Sequence, residues 1–325
     1  MSSPPVSTAT ESSPPAGAPC YGLDIGGTKI ELVAFDASTP GFAELYRRRV
    51  ATPTQDFEAF VEAIGALVAE ADQTLACIGR VGLGLPGIIS PQTGLQLSSN
   101  VPALSGRAVP QALRERLGRP VAIGNDCQCF ALSEAQGGAA EGFASMFGAI
   151  LGTGAGGGFC VQGRLIAGYN GLAGEWGHWA LPALLQQRHR LPLLACACGL
   201  QSCVERYVSG SGLAALFQHF GGPAGQSVPQ IVAAADAGEA HARQALAVHL
   251  DLLGHALAGL IMAYDPHVLV LGGGLSKLQS LYADLPEAIR PHLFQGVSVP
   301  PILPPRFGDA GGARGAALLA RQRLS

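Results

Sequence analysis

The chain has 325 residues, of which 48% are hydrophobic, 13% are charged and 6% are aromatic, and its formal net charge is −3. This length exceeds the size at which one hydrophobic core usually stops growing, so we expect two lobes. The weak negative charge supplies no basic field for phosphate backbones or anionic lipid, and few aromatic rings are available for base stacking. Composition therefore argues against nucleic-acid and membrane partners.

The first segment of the chain, residues 1–19, is rich in Ser and Pro and contains no apolar run. This composition predicts a disordered tail and is not typical of a signal peptide. The apolar stretch Leu252 to Ala263 is interrupted by Gly254, His255 and Gly259 and is shorter than a bilayer span. We therefore expect a cytoplasmic protein without a membrane anchor.

The first predicted element is a β-hairpin that starts at Tyr21, where two apolar runs flank a Gly-Gly-Thr-Lys turn. The pattern then predicts a helix over Asp56 to Ala71 and a buried strand over Arg80 to Ile89. The elements predicted next are a short helix Val109 to Leu117, a strand Val121 to Ile123 and a helix Cys127 to Gln136.

A second hairpin is predicted where the apolar run Met146 to Leu151 meets a glycine-rich turn, residues 152–158, followed by the run Phe159 to Val161. Because it repeats the first hairpin, the pattern indicates a duplicated fold. The later elements are helices around Gly212 to His219 and Ala240 to Tyr264, a strand His267 to Leu271 and a helix Gly311 to Arg323. Strands mixed with helices throughout predict two α/β lobes.

The two glycine-rich turns are candidate phosphate sites. The first is not a P-loop, because its Thr28 and Lys29 are in reversed order and a strand follows it. Its backbone N–H groups and the Thr28 hydroxyl suit phosphate oxygens, and Asp24 is placed to bind Mg²⁺ directly or through water. The second turn contains a G-x-G-x-x-G pattern but also leads into a strand, which disfavours a dinucleotide site. Two such turns fit ATP, and the alternative is a pair of bare hairpin turns.

Three carboxylates are candidates for the acceptor side of the reaction. Phosphoryl transfer to a hydroxyl needs one carboxylate that accepts the proton, and Asp126, just after a predicted strand, is the candidate base. Glu175 and Glu205 lie in short segments that suit precise placement of polar groups for a sugar. The alternatives are an ordinary helix cap at Asn125-Asp126 and surface carboxylates at the two glutamates.

Three cysteines, Cys196, Cys198 and Cys203, are close enough in sequence to share a metal ion, and His178 is the natural fourth ligand. A closed Cys₃His set leaves no position for a metal-bound water, so we expect a structural zinc that orders the loop. The alternative is a chance cluster of reduced cysteines.

Five motifs in this order resemble the ROK family of sugar kinases and repressors: Asp24-Ile-Gly-Gly-Thr-Lys29, Gly-Asn125-Asp126, the glycine cluster 152–158, Gly174-Glu-Trp-Gly-His178 and Cys196 to Glu205. The resemblance runs from about Tyr21 to Leu319. It implies a two-lobed, actin-like ATPase fold of the hexokinase and ribonuclease H type, usually as a homodimer. The implied lobes are 20–125 with 308–325, and 126–307 with the zinc loop.

The resemblance also implies roles for individual residues. Asp126 activates the 6-hydroxyl of the sugar with Mg²⁺ and ATP bound, and His178 contacts both sugar and zinc. The sugar is lined by Asn100, Asn125, Glu175, His178 and Glu205. ATP is held by Gly22, Asp24, Gly26, Gly27, Thr28, Lys29, Gly152, Thr153, Gly154, Gly156, Gly157, Gly158, Gly273 and Gly274. The family motif commonly has Gly before its third Cys, whereas this chain has Ser202. This departure puts the backbone conformation of the loop in question, but not its metal ligands.

Within the family, the stretches Ser99 to Gly106, Cys129 to Ala135 and Phe307 to Ala317 are most similar to bacterial N-acetyl-D-glucosamine kinases. The segments Ser90 to Gly94 and Gly168 to His178 are closer to fructokinases that also take mannose, so fructose, mannose and glucose stay as alternatives. A sugar-sensing regulator without kinase activity is disfavoured, because residues 1–19 offer no DNA-binding domain. An acetate or glycerol kinase would not carry the Cys₃His segment.

Overall fold

The computed structural model describes residues 17–39, 41–97, 101–308 and 311–324. The chain forms two compact units: one comprises Met1–Cys129 with Gly312–Ser325, and the other comprises Phe130–Gly311. Of the expected tail, residues 1–19, the first 16 lie outside the described residues. The disorder of that tail stays a prediction. The expected lobe boundaries, 20–125 with 308–325 and 126–307, also stay a prediction.

Twelve strands are present in the described part of the chain: β1 Cys20–Ile25, β2 Lys29–Phe35, β3 Glu44–Ala51, β4 Arg80–Leu85, β5 Ile88–Ile89, β6 Gln96–Leu97, β7 Val121–Asn125, β8 Ser145–Leu151, β9 Ala155–Val161, β10 Arg164–Ile166, β11 Val268–Gly272 and β12 Ile302–Leu303. The same part has ten α-helices: α1 Phe57–Leu75, α2 Val109–Leu117, α3 Asp126–Ala135, α4 Ala183–His189, α5 Glu205–Val208, α6 Gly210–His219, α7 Val228–Asp236, α8 Ala240–Tyr264, α9 Gln279–Ile289 and α10 Gly311–Arg323.

The two main sheets have the same topology. The strand order is β3-β2-β1-β4-β7 in the first unit and β10-β9-β8-β11-β12 in the second. In each sheet the first three strands of the order are antiparallel, and the remaining pairings are parallel. The duplication predicted from the two hairpins is therefore confirmed.

The core of the first unit lies between its sheet and helices α1 and α2. Helix α1 begins where the Asp56 side chain accepts a hydrogen bond from the Ala59 N–H, and it buries Phe60, Ile64 and Leu67 at helical spacing. Together with apolar residues of β1, β2 and β4 they form one cluster of buried side chains. The packed sheet gives the ends of β1 and β7 a rigid support.

The centre of the second unit is helix α8, which has 25 residues. It is long and apolar enough to cross a membrane by length and composition alone, but 61% of an apolar 18-residue window within it is buried inside the protein. Its side chains, such as Leu252, Leu253 and Leu257, belong to the core of this unit. The helix has the bounds predicted from the sequence: polar residues such as His241 and Arg243 lie in its N-terminal part, and the apolar run Leu252 to Ala263 forms its C-terminal part.

Several predicted elements end a few residues from their bounds in the structure, and two predictions differ in the kind of element. The predicted strand Arg80 to Ile89 is two strands, β4 and β5, because Pro86 and Gly87, whose φ is 81°, turn the chain between them. The second glycine turn is shorter than predicted, since residues 156–158 lie inside strand β9. Gly157 is small there for a packing reason: an added Cβ would lie 2.4 Å from the Gly148 carbonyl oxygen.

Candidate active site

Two carboxylates meet at the edge of the first sheet where its parallel strands end. Asp24 pairs with Gly84 in the β1–β4 register, and Asp126 directly follows Asn125, the last residue of β7. A Cβ on Gly84 would lie 3.7 Å from the Asp126 Cα atom, so the glycine on β4, the strand between β1 and β7, leaves this space free of a side chain. The structure therefore brings the predicted base and the predicted Mg²⁺ ligand together.

The environment of these carboxylates disfavours their charged forms. Burial, the neighbouring Asp126 and Glu31 raise the pKa of Asp24 to about 6, against a small opposing effect of Lys29. Burial also raises the pKa of Asp126, although the Cys127 N–H donates to its Oδ1 atom at 2.8 Å. Two half-buried carboxylates that repel one another favour a cation beside them, so the pair fits the expected Mg²⁺.

Helix α10 packs directly against Asp24, and glycine residues make this close approach possible. A Cβ on Gly312 would lie 2.7 Å from the Asp24 carboxyl carbon, and one on Gly22 would lie 1.7 Å from the Ala313 carbonyl oxygen. Any side chain at these positions would push the helix away from strand β1. Gly22, predicted as a nucleotide contact, therefore has a packing role, and Gly312 is a residue that sequence analysis missed. Its Gly-Gly-Ala-Arg-Gly context was the available signal.

The first glycine turn joins β1 to β2, and hydrogen bonds at Gly26 hold it in place. The Gly26 N–H donates to the Lys29 carbonyl oxygen at 2.9 Å, and the Thr52 hydroxyl donates to the Gly26 carbonyl oxygen at 2.7 Å. Gly27, Thr28 and Lys29 are exposed. The turn thus presents a hydroxyl and an ammonium group to solvent beside Asp24, which fits phosphate binding.

Asn125 is buried and its side chain holds the local backbone. Its Nδ2 atom donates to the Gly87 carbonyl oxygen at 3.0 Å, and its Oδ1 atom accepts from the Cys127 N–H at 2.8 Å. These bonds fix the start of α3 and hence Asp126. The predicted sugar contact of Asn125 stays a prediction, and Asn100 lies outside the described residues.

The second glycine turn, Gly152-Thr153-Gly154, is anchored by the start of helix α6. The Gly210 N–H donates to the Gly152 carbonyl oxygen at 2.8 Å, and the Ser211 hydroxyl donates to the Thr153 carbonyl oxygen at 2.6 Å. Sequence analysis missed these two anchors, although the Ser-Gly-Ser-Gly stretch at residues 209–212 was a signal.

Strand β11 brings a further predicted nucleotide contact to this turn. Gly273 has a φ of 76°, and a Cβ there would lie 2.5 Å from the Leu151 carbonyl oxygen. Only glycine is compatible with both the φ value and the close approach. Gly274 follows in a short 3₁₀ helix with open space around it. The second turn and Gly273 therefore form one glycine-lined surface in the second unit.

The four predicted metal ligands, His178, Cys196, Cys198 and Cys203, lie together, with their donor atoms within 4.8 Å of one another. The Sγ atoms of Cys198 and Cys203 are 3.5 Å apart, and Cys196 Sγ is 3.7 Å from His178 Nδ1. A tetrahedron with metal–sulfur bonds of about 2.3 Å has edges of about 3.8 Å, so the donors fit one tetrahedral ion. Burial raises the pKa of the Cys203 thiol to about 12. A thiol in that environment needs a bound cation to lose its proton.

Ser202 replaces the glycine that is common in the family motif, and it adopts the backbone conformation of a glycine. Its φ is 54°, in the left-handed region. The hydroxyl is held by the Gln186 Nε2 atom at 2.8 Å and by the Tyr207 hydroxyl at 3.3 Å. These bonds support the strained residue, so the departure leaves the cysteine loop intact.

Two glutamates surround the Cys/His cluster. Glu175 Oε2 is 3.8 Å from His178 Nε2, and Glu205 Oε1 is 3.9 Å from His178 Nδ1. Glu205 Oε1 also lies 3.1 Å from Cys196 Sγ, and its Oε2 atom accepts from the Ala155 N–H at 3.3 Å. The second unit thus brings the three predicted sugar ligands Glu175, His178 and Glu205 together.

Two relatives with assigned names cover nearly the whole chain. The chain is 46% identical over 299 residues to "N-acetylgalactosamine kinase AgaK" of Shewanella sp. (strain ANA-3). The aligned residues cover 92% of this chain and 96% of the relative. It is 42% identical over 301 residues to "N-acetyl-D-glucosamine kinase" of Photobacterium profundum, with 92% and 98% covered. Both relatives are named as N-acetylhexosamine kinases.

A solved structure establishes the fold and a family model establishes the family. The ROK hexokinase from Thermus thermophilus has a TM-score of 0.82 at 32% identity, covering 94% of this chain and 99% of the other. The expected actin-like α/β fold is therefore confirmed. The ROK family model matches residues 20–323. On these grounds, the chain belongs to the ROK family.

Proposed function

We propose that the protein transfers the γ-phosphoryl group of ATP to the 6-hydroxyl of N-acetyl-D-glucosamine and forms N-acetyl-D-glucosamine 6-phosphate. The observation that carries the proposal is the half-buried pair Asp24 and Asp126 at the ends of parallel strands, in a chain 42% identical to a relative named for this activity. One carboxylate serves proton transfer and the other serves the metal, which is the division that phosphoryl transfer requires.

Asp126 is the proposed base. Its raised pKa, caused by burial, makes it a better proton acceptor than an exposed aspartate, and its backbone is fixed by the hydrogen bonds of Asn125. Asp24 would hold Mg²⁺ directly or through water. When bound, Mg²⁺ neutralises charge on the transferring phosphoryl group. The phosphate contacts are assigned to Thr28 and Lys29 and to the second glycine turn.

We assign zinc to the Cys/His cluster, because three thiols and one imidazole at tetrahedral spacing suit this ion better than Mg²⁺ or Ca²⁺. With four protein ligands the ion would have a structural role. It would fix the position of His178, whose Nε2 atom faces Glu175, and of the backbone that leads from Cys203 to Glu205. Glu175, His178 and Glu205 are the proposed sugar contacts in this unit, with Asn100 and Asn125 as the others.

N-acetyl-D-galactosamine is the second candidate substrate, because the relative with 46% identity carries that name. The two sugars differ only in the orientation of one ring hydroxyl. An enzyme rejects the wrong epimer strongly only when a buried polar group is left without its partner. Fructose, mannose and glucose stay as further alternatives from the sequence, as does a regulator without kinase activity.

The test is a coupled ADP-release assay with Mg·ATP and a panel of N-acetylglucosamine, N-acetylgalactosamine, fructose, mannose and glucose. We expect the highest kcat/KM with N-acetylglucosamine, since this ratio reports substrate discrimination. The 6-deoxy analogue serves as the matched control and should give no ADP above background. Highest kcat/KM with N-acetylgalactosamine would replace the substrate assignment, and no sugar-dependent ADP release from any of the five would overturn the kinase proposal.

The proposed setting of the enzyme is the cytoplasm, as a homodimer. The homodimer rests on the family resemblance and on exposed leucines of the second unit: Leu184, Leu193 and Leu200 are 67%, 69% and 58% exposed. Light scattering on the purified protein measures the molar mass directly. A mass of about 33 kDa would contradict the dimer, since one chain has 33.2 kDa.

A further inference from the structure

The segment Gly174 to His178 lies flush against the backbone of strand β9, next to the second glycine turn. A Cβ on Gly174, whose φ is 113°, would lie 2.2 Å from the Gly157 carbonyl oxygen. A Cβ on Gly177 would lie 2.0 Å from the Ala155 carbonyl oxygen. Two glycines therefore permit backbone contact at two successive points along β9, and the residues between them are held in one register.

Trp176, between these two glycines, adds a directed bond to the same strand. Its indole is buried, with 1% exposed, and its Nε1–H donates to the Gly156 carbonyl oxygen at 2.8 Å. Gly177, Trp176 and Gly174 thus contact the backbone of Ala155, Gly156 and Gly157, respectively. An apolar side chain could fill the same space, but it would leave the Gly156 carbonyl oxygen without this directed hydrogen bond.

The contact between the Gly174 to His178 segment and strand β9 lies beside proposed functional residues on both of these elements. Glu175 and His178, two proposed sugar contacts, lie on the held segment, and His178 also belongs to the Cys/His cluster. Strand β9 begins at Ala155, directly after the second glycine turn, and the Ala155 N–H donates to Glu205. One short stretch of β9 therefore supports the sugar contacts, the cluster and the turn.

We propose that Trp176 is a positioning residue that fixes the Glu175 to His178 segment on strand β9 and thereby couples the Cys/His cluster to the second glycine turn. The inference deepens the proposed function and rests on it. Trp176 itself touches no substrate. Its contribution is the alignment of Glu175 and His178, so its loss affects substrate binding rather than proton transfer.

The test compares Trp176→Phe with Trp179→Phe. The chain has two tryptophans, so the pair offers the same substitution three residues apart. Trp179 is a matched control, because its indole packs against helix α8 at Gly259. Each phenylalanine keeps an aromatic ring and removes the N–H group. In Trp176→Phe the buried Gly156 carbonyl oxygen loses its donor, whereas the control leaves that bond intact.

We expect Trp176→Phe to raise the sugar KM about tenfold and to change kcat by less than about threefold, since loss of alignment removes binding common to ground and transition states. We also expect faster zinc release to a colorimetric chelator, because His178 is less firmly held. Trp179→Phe should match the wild type in both measurements. A role limited to stability would lower the melting temperature and leave the sugar KM of the folded enzyme unchanged.

Unchanged sugar KM together with equal zinc release from the two variants overturns the inference. Failure of the proposed function has a different signature, because the wild-type enzyme would then release no ADP with any sugar of the panel. In that case the zinc-release rates alone decide the coupling: faster release from Trp176→Phe supports it, and equal release refutes it.

Discussion

Replacing Asp24 with Asn tests whether the charge of this half-buried carboxylate lowers the free energy of unfolding. The pKa of Asp24 is raised from 3.8 to about 6, chiefly by burial. The folded chain therefore holds this proton more tightly than the unfolded chain, so stability is lost as the pH rises from about 4, and the loss is complete above about pH 6. The difference between these two pKa values corresponds to about 3 kcal/mol of stability lost at pH 8.

Asn keeps the shape of Asp and removes the charge. We expect Asp24→Asn to increase the free energy of unfolding at pH 8 by about 1–3 kcal/mol, since desolvation of the amide offsets part of the gain. The gain should shrink as the pH falls and vanish below about pH 4, where the wild-type carboxylate is protonated in both states. Turnover with Mg·ATP should be lost at every pH.

The assay is urea unfolding of both proteins at half-unit steps from pH 4 to pH 8, followed by fluorescence and circular dichroism. Asp56→Asn is the matched control, because Asp56 is an exposed helix cap in the same unit and Asn caps equally well. A variant that is less stable than the wild type at pH 8, or a difference that does not change with pH, would refute the reasoning.

Four further outcomes are expected. Asp126→Asn should lower kcat by about 10²–10⁴-fold with little change in sugar KM; unchanged turnover would dismiss this residue as the base. Cys198→Ser should lose zinc by elemental analysis and raise the sugar KM, whereas full activity of metal-free protein would contradict the structural role. Burial lowers the pKa of His249 to about 4, so acidification from about pH 6.5 to 4 should cost about 3 kcal/mol, and His249→Gln should flatten that part of the urea-midpoint profile. Gly154→Ala would place a Cβ 2.7 Å from Glu205 Oε2 and should raise the sugar KM in the ADP-release assay; a wild-type KM would show that Glu205 tolerates the displacement.

Sequence patterns were sufficient wherever the signal is local. The predicted helices Val109 to Leu117, Ala240 to Tyr264 and Gly311 to Arg323 have the same bounds in the structure. Helical periodicity and end signals such as Gly118, with a φ of 62°, are encoded within a few residues. The spacing of Cys196, Cys198 and Cys203 likewise indicated a shared site, although the fourth ligand came from a distant segment.

Some predictions failed because identical local patterns have different tertiary settings. Glycines favour turns, and residues 156–158 were predicted as part of one, yet they continue strand β9. Gly157 is small because the Gly148 backbone approaches closely from the neighbouring strand. Nothing in the local sequence distinguishes a glycine needed for φ from one needed for space.

By itself, then, the sequence determined the duplicated α/β pattern, the two glycine turns and the position of Asp126 at the end of a strand, because each depends on neighbouring residues. Only the tertiary structure decided that Asp24 lies beside Asp126, with Gly84 on the strand between them and Gly312 closing over the carboxyl group. These residues come from separate strands and a terminal helix, so their proximity depends on strand order. The raised pKa of Asp24 follows from that packing, because burial and a neighbouring charge exist only in the folded chain.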